Sequence, residues 1–148
     1  MKVLLVADWA IDPHTVVAEA SRRAEHAGTE LGVVVPAWLH GLDWAGDPNA
    51  SIPCACQQLE TIESLAAAAG LPLAVATVGD PDPATAIYDA LETWPADEIL
   101  LFAPTHRLAL RPFDLRHRAH RMTGLPVHQV AKMHGRRTHC AADVAAAA

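Results

Sequence analysis

The sequence predicts an α/β domain: a parallel sheet of five strands between two layers of helices, a three-layer α/β/α sandwich. Three observations carry this. Five short apolar runs are continuous rather than alternating, as strands buried on both faces require. Between them lie stretches with helical spacing and local start and stop signals. The chain has 148 residues, 51% of them apolar and 19% charged, enough for one ordinary core and too apolar for a disordered chain. Strands alternating with helices imply right-handed crossovers that place helices on both faces of the sheet.

The first strand is expected over Lys2 to Ala7 (Lys-Val-Leu-Leu-Val-Ala). Asp12-Pro13 follows, an N-cap residue and a proline at the first helical position. Val16, Val17, Ala20, Ala24 and Ala27 then recur at helical spacing, and Gly28 stops the helix. Residues 31–35 form the second strand. After Pro36 comes a long loop carrying Trp38 and Trp44, which either line a ring pocket or cover the edge of the core. The second helix is expected over residues 52–69, with Ile52, Cys56, Leu59, Ile62, Ala66 and Ala69 on its inner face and Gly70 and Pro72 ending it. Residues 73–78 are the third strand. Asp82-Pro83 repeats the cap-and-proline signal ahead of Ala84, Ile87, Tyr88, Leu91 and Trp94. Residues 98–103 are the fourth strand, and a loop over residues 104–112 leads to a short basic helix with Leu115, Ala119 and Met122 inward, closed by Gly124. The fifth strand runs from Pro126 to Ala131. Residues 1–132 are read as the domain and residues 133–148 as a flexible tail.

Net charge conceals an asymmetry. Residues 1–103 hold 3 Lys/Arg against 15 Asp/Glu, whereas residues 104–148 hold 8 against 2 together with six of the nine histidines. Such a division points either to an anion site or to an acidic partner for the basic part. The overall charge of −6 argues against nucleic acid as a partner. No apolar stretch approaches the roughly 18 residues of a membrane span, and the opening run is too short for a signal peptide, so a cytoplasmic protein is expected. The three cysteines, Cys54, Cys56 and Cys140, follow no framework spacing and read as free thiols, with Cys56 buried on the apolar side of its helix.

The residues also carry a family resemblance. Gly79-Asp80-Pro81-Asp82-Pro83-Ala84-Thr85-Ala86-Ile87, followed by Pro95-Ala96-Asp97-Glu98-Ile99-Leu100-Leu101, resembles the universal stress protein superfamily. It is most similar to an actinobacterial branch in which a Gly-Asp-x-Asp-Pro turn opens the third helix. Gly124-Leu125-Pro126-Val127-His128-Gln129-Val130 resembles the closing strand of that fold, and the resemblance spans residues 2–131. It implies a Rossmann-like domain of strand order 3-2-1-4-5, a homodimer paired through the strand from Pro126 to Ala131, and a stress-response role. It further implies an adenine nucleotide held at the strand ends, with the Asp after strand one, here Asp8, near the ribose and base.

In nucleotide-binding relatives, a glycine-rich signature after strand four holds the phosphates. This chain departs from it: after Phe102 it reads Ala-Pro-Thr-His-Arg-Leu-Ala-Leu-Arg-Pro, and no glycine occurs between Gly79 and Gly124. Glycines let backbone N–H groups close on an anion, and Pro104 and Pro112 remove two such donors. The cradle of the usual ATP site is therefore missing, and no cofactor is assigned.

The expected ligand-binding set is Asp8, Val34, Thr105, His106, Arg107 and Arg111. Arg107 and Arg111 offer forked donors for phosphate or carboxylate, Thr105 a hydroxyl, and the following helix its positive end. Their alternative is a solvated surface or pairing with the acidic part of the chain. Asp8 either contacts ligand or caps its own turn. His117 and His120 share a helix face but have no third ligand nearby, so no metal is expected. Ser21, Ser51 and Ser64 sit in or at the starts of helices, no nucleophile–base pair emerges, and an enzyme is not expected. The reading is a binding or regulatory protein that takes a nucleotide or another small anionic ligand at the ends of strands one and four; the alternative is a dimerisation or structural module of the same fold that binds no ATP and has no catalytic activity.

Overall fold

The computed structural model describes residues 1–39, 46–103 and 114–130. Along the chain it contains β1 (Lys2–Ala7), α1 (Pro13–Ala24), β2 (Glu30–Pro36), α2 (Ile52–Ala68), β3 (Leu73–Gly79), α3 (Pro83–Thr93), β4 (Glu98–Phe102), α4 (Leu115–Thr123) and β5 (Val127–Gln129). The strands form one sheet in the order β3-β2-β1-β4-β5, every pairing parallel. The expected fold and strand order are both present. Among the described residues, no helix is long and apolar enough to cross a membrane.

The continuous apolar strands follow from burial on both faces. Val3, Leu5 and Ala7 of β1 join Val33, Val35, Leu100 and Phe102 in a core under α1 and α2. Leu4 and Val6 of the same strand join Val34, Ile99 and Leu101 in a second core under α3 and α4. Successive side chains of a strand point to opposite faces, so a strand between two helical layers needs apolar residues at every position.

Helix starts follow the local chemistry. Asp12 Oδ1 accepts from the His14 N–H at 3.0 Å, with Pro13 opening α1. Asp82 Oδ2 accepts from the Thr85 N–H at 3.2 Å and from its hydroxyl at 2.9 Å. Asp114 caps α4 through Arg116 N–H at 3.2 Å, and Gly124 ends it at φ 71°, a conformation that favours glycine. Gly32 has another task. A Cβ there would come within 2.7 Å of Trp94 Cζ3 and of Val75 Cγ1, so glycine makes the room that Trp94 occupies on the sheet.

Two expectations about α2 are corrected. Its buried side is Cys54, Ala55, Gln58, Ile62 and Ala66, whereas Ile52 and Cys56 are exposed. The helix is rotated from the expected phase because Gln58 turns inward to donate from Nε2 to the Ile11 carbonyl at 2.6 Å. The cysteines are not all free either: Cys54 is disulfide-bonded and Cys56 is a free thiol. At the far edge, β5 is shorter than expected and closes at Gln129, although the Val130 N–H still donates to the Leu101 carbonyl at 3.1 Å. Ala131 and residues 133–148 lie outside the described residues.

Ion pairing ties the elements together at the opposite end of the strands. Glu98, the first residue of β4 and 8% exposed, receives Arg23 Nη1 of α1 at 2.5 Å, and His128 Nε2 of β5 stands 3.7 Å from its other oxygen.

Candidate functional site

β1 and β4 are neighbours at the centre of the sheet, and their connections leave to opposite faces: α1 lies over one core and α4 over the other. In open parallel sheets this is where a crevice forms outside the carboxyl ends of the strands. Asp8 sits at that point. Its N–H donates to the Phe102 carbonyl at 2.9 Å, so the junction joins the last residue of β4 to the first residue after β1.

The Asp8 side chain is 2% exposed, and its Oδ1 accepts from the Ala10 N–H at 3.0 Å. The turn-capping alternative raised by the sequence is therefore present. The loop after β1 is then gripped from two sides. Gln58 of α2 holds the Ile11 carbonyl, with the Asp8 carbonyl 3.4 Å from the same Nε2. Trp9 Nε1 donates to the Trp38 carbonyl at 2.7 Å, which links the loops after β1 and β2. On the other side of β4, Gln129 Nε2 donates to the Ala103 carbonyl at 3.2 Å, binding the chain leaving β4 to β5.

The site thus combines an aspartate at the strand junction with two tryptophans whose side chains pack on opposite cores, Trp9 on one and Trp38 on the other. Val34, also expected in the ligand-binding set, is 0% exposed in the core beneath α3, paired with Val6 and Thr77. Its contribution is to the floor of the sheet. Thr105, His106, Arg107 and Arg111 lie outside the described residues, as does Trp44.

Sequence reasoning missed Trp9, Gln58 and Gln129. Trp9 was open to discovery, because it follows Asp8 directly at the end of a central strand. Gln58 carried no such signal, since a glutamine in an alanine-rich helix reads as solvent-facing until its partner carbonyl is known.

The basic α4 uses much of its charge within the molecule. Arg118 Nη2 lies 3.3 Å from Asp82 Oδ2, across to the start of α3, and Arg116 Nε donates to the Val127 carbonyl at 3.1 Å. His117 Nδ1 faces Asp114 Oδ2 at 3.6 Å and His120 Nδ1 the Leu125 carbonyl at 2.8 Å. Among the described residues, no group of three His, Cys, Asp or Glu side chains could hold a metal ion. A depression of about 420 Å³ lined by Glu63, Ala67, Leu71, Pro72 and Leu73 opens at the start of β3, at the other end of the strands from Asp8.

No family model matches the chain, and no curated protein matches it. Among solved structures, it is similar to the crystal structure of a protein from the universal stress protein family from Burkholderia pseudomallei. The TM-score is 0.59 at 17% sequence identity, over 88% of this chain and 96% of that one. At that identity the likeness is one of fold: five parallel strands in the order found here, and the chain has a universal-stress-protein-like fold.

Proposed function

We propose that this protein is a non-catalytic binding or regulatory protein of the universal-stress-protein type that takes a small anionic ligand at the carboxyl ends of β1 and β4. The observation that carries the reading is the junction itself: Asp8 is bonded through its backbone to Phe102 where the two helical layers diverge. The basic loop that follows β4 in sequence brings Thr105, His106, Arg107 and Arg111, where relatives place glycines. Side-chain donors then take the role that backbone N–H groups play in a glycine-rich loop. A ligand held this way is recognised chiefly through its phosphate or carboxylate, and an adenine nucleotide is one candidate among such anions. Cytoplasmic action in a stress response belongs to the same reading.

A thermal-shift and calorimetric screen with ATP, AMP, cyclic nucleotides and inorganic phosphate tests it. The expected result is a saturable stabilisation that Arg107→Ala and Arg111→Ala weaken. No response to any of these anions, with both variants neutral, refutes it.

A second reading rests on β5. Among the described residues it is the last strand of the sheet and pairs on one side only, and edge strands are covered when two copies meet across a two-fold axis. In that reading the protein works as a homodimer joined through this strand and needs no ligand. Light scattering that gives a monomer at every concentration refutes it.

A further inference from the structure

β3 ends the sheet at the edge opposite β5, and it carries none of the features that keep free strand edges apart. Natural sheets guard an edge with charge, proline or a very short strand. β5 is guarded in this way: it is three residues long and follows Pro126. β3 is not. It runs for seven residues, Leu-Ala-Val-Ala-Thr-Val-Gly, with no charge and no proline, and none of them is fully buried. Its neighbour β2 is buried at every position after Glu30.

The backbone direction identifies the groups on offer. The Gly79 carbonyl accepts from the Ala37 N–H at 3.1 Å, so Gly79 faces β2. Strand alternation turns Val75 and Thr77 the same way. It turns Ala76 and Val78 to the side where β3 has no neighbouring strand among the described residues. The irregularity in the β2–β3 pairing lies at the start, where Leu31 and Gly32 pair with Leu73 and Val75, so residues 75–79 form a regular ladder.

We infer that β3 pairs with β3 of a second copy of this chain, antiparallel about a two-fold axis through Thr77. A contact of this symmetry needs a segment that complements itself, and residues 75–79 do so. In this register Val75 stands opposite Gly79 of the second copy, Ala76 opposite Val78, and Thr77 opposite Thr77. Each valine meets a smaller residue, and paired threonines are a favourable cross-strand combination. Ala76 and Val78 face each other as hydrogen-bonded pairs that exchange both N–H···O bonds. The space beside Gly79 is fixed by α3, since a Cβ there would lie 2.5 Å from that of Ala86. Asp80 falls opposite Ala74 and not opposite its own copy, so no like charges meet in the ladder.

Outside the ladder the two copies repel. No Lys or Arg occurs between Arg23 and Arg107, whereas α2 carries Glu60 and Glu63, and Asp80 and Asp82 follow β3. Pairing therefore tightens as salt screens that repulsion. A basic partner on this edge would show the opposite dependence. The inference does not depend on what the candidate site binds, and it uses the opposite sheet edge from the β5 reading.

Light scattering and residue-resolved amide exchange by NMR, on the full chain from micromolar to millimolar concentration, test it. On concentrating, exchange at the Ala76 and Val78 N–H groups is expected to slow as the mass rises toward that of a dimer. Sodium chloride is expected to increase both effects. Thr77→Lys, which sets two ammonium groups opposite each other at the axis, is expected to lose the dimer, and Thr77→Val to keep it. Pairing through β5 would read differently. Pro126 and Val130 bond to β4, so Val127 and Gln129 point away from it, and their N–H groups would slow instead. A monomer at every concentration, slowing at Val127 and Gln129 without Ala76 and Val78, a dimer retained in Thr77→Lys, or association that salt dissolves overturns the inference.

Discussion

Replacing Gln58 by methionine tests the argument that a single buried amide sets the rotation of α2. The two side chains are similar in length, so the change removes the donor with little change in packing volume. Gln58 is 7% exposed and Ile11 1% exposed, so the Ile11 carbonyl that accepts at 2.6 Å is left buried with its donor gone. The Asp8 carbonyl is less affected: its contact with Gln58 is 3.4 Å, and it also accepts from the Ile11 N–H at 3.2 Å. One orphaned buried carbonyl costs about 1–3 kcal/mol, and burying a thioether where an amide stood returns part of it. The net expectation is a loss of about 1–2 kcal/mol, a fall in melting temperature of roughly 3–8 °C for a domain of this size. Urea unfolding should show a lower midpoint at unchanged slope. Hydrogen exchange should show faster exchange at Ala10 and Ile11, whose N–H groups bond within the same loop. A midpoint equal to the parent protein, with exchange in that loop unchanged, would refute the view that Gln58 holds it.

Two further changes probe the packing. Gly32→Val places carbon against Trp94 and Val75 at separations of 2.7–2.9 Å, and should cost about 1–3 kcal/mol with a shift in tryptophan emission as Trp94 is displaced. An unchanged spectrum and denaturation midpoint would contradict the close approach. Arg23→Met leaves the Glu98 carboxylate, 8% exposed, without its guanidinium partner. Because Arg23 keeps 26% of its side-chain surface exposed, the loss should be about 1–2 kcal/mol rather than the larger penalty of a fully buried pair. Pairing it with Glu98→Gln in a double-mutant cycle isolates the interaction, and strict additivity would show that the pair contributes nothing.

Much of the fold was legible because its signals are local. Asp12-Pro13 and Asp82-Pro83 cap and open helices through bonds that reach two or three residues, so the sequence alone contains both partners. The central strands β1, β2 and β4 were legible because burial on both faces leaves a continuous apolar run. The phase of α2 was not, for a physical reason. Alanines and cysteines distribute small apolar groups around that helix, so no stripe is unique, and the choice is made by Gln58 and a carbonyl 47 residues away. The bonded state of Cys54 was likewise hidden, since nothing in the two-residue spacing to Cys56 signals it. At the candidate site, Asp8 was legible from its place after a central strand. What the sequence left open was whether it contacts a ligand or caps its turn, and the bond from Ala10 establishes the capping.

The junction of β1 with β4 also has a consequence for how the chain is made. Val3 pairs with Glu98, so β1 leaves the ribosome and waits for a partner nearly a hundred residues behind it. Its other neighbour, β2, follows at Glu30, and β4 emerges some 68 residues later. At synthesis rates of about 5–20 residues per second, that is a delay of roughly 3–14 s. Throughout it, one side of Val3-Leu4-Leu5-Val6 presents an open, uncharged strand edge to the crowded surroundings of the nascent chain. The strand that later becomes the centre of the sheet is thus the one that waits longest for a neighbour within the sheet.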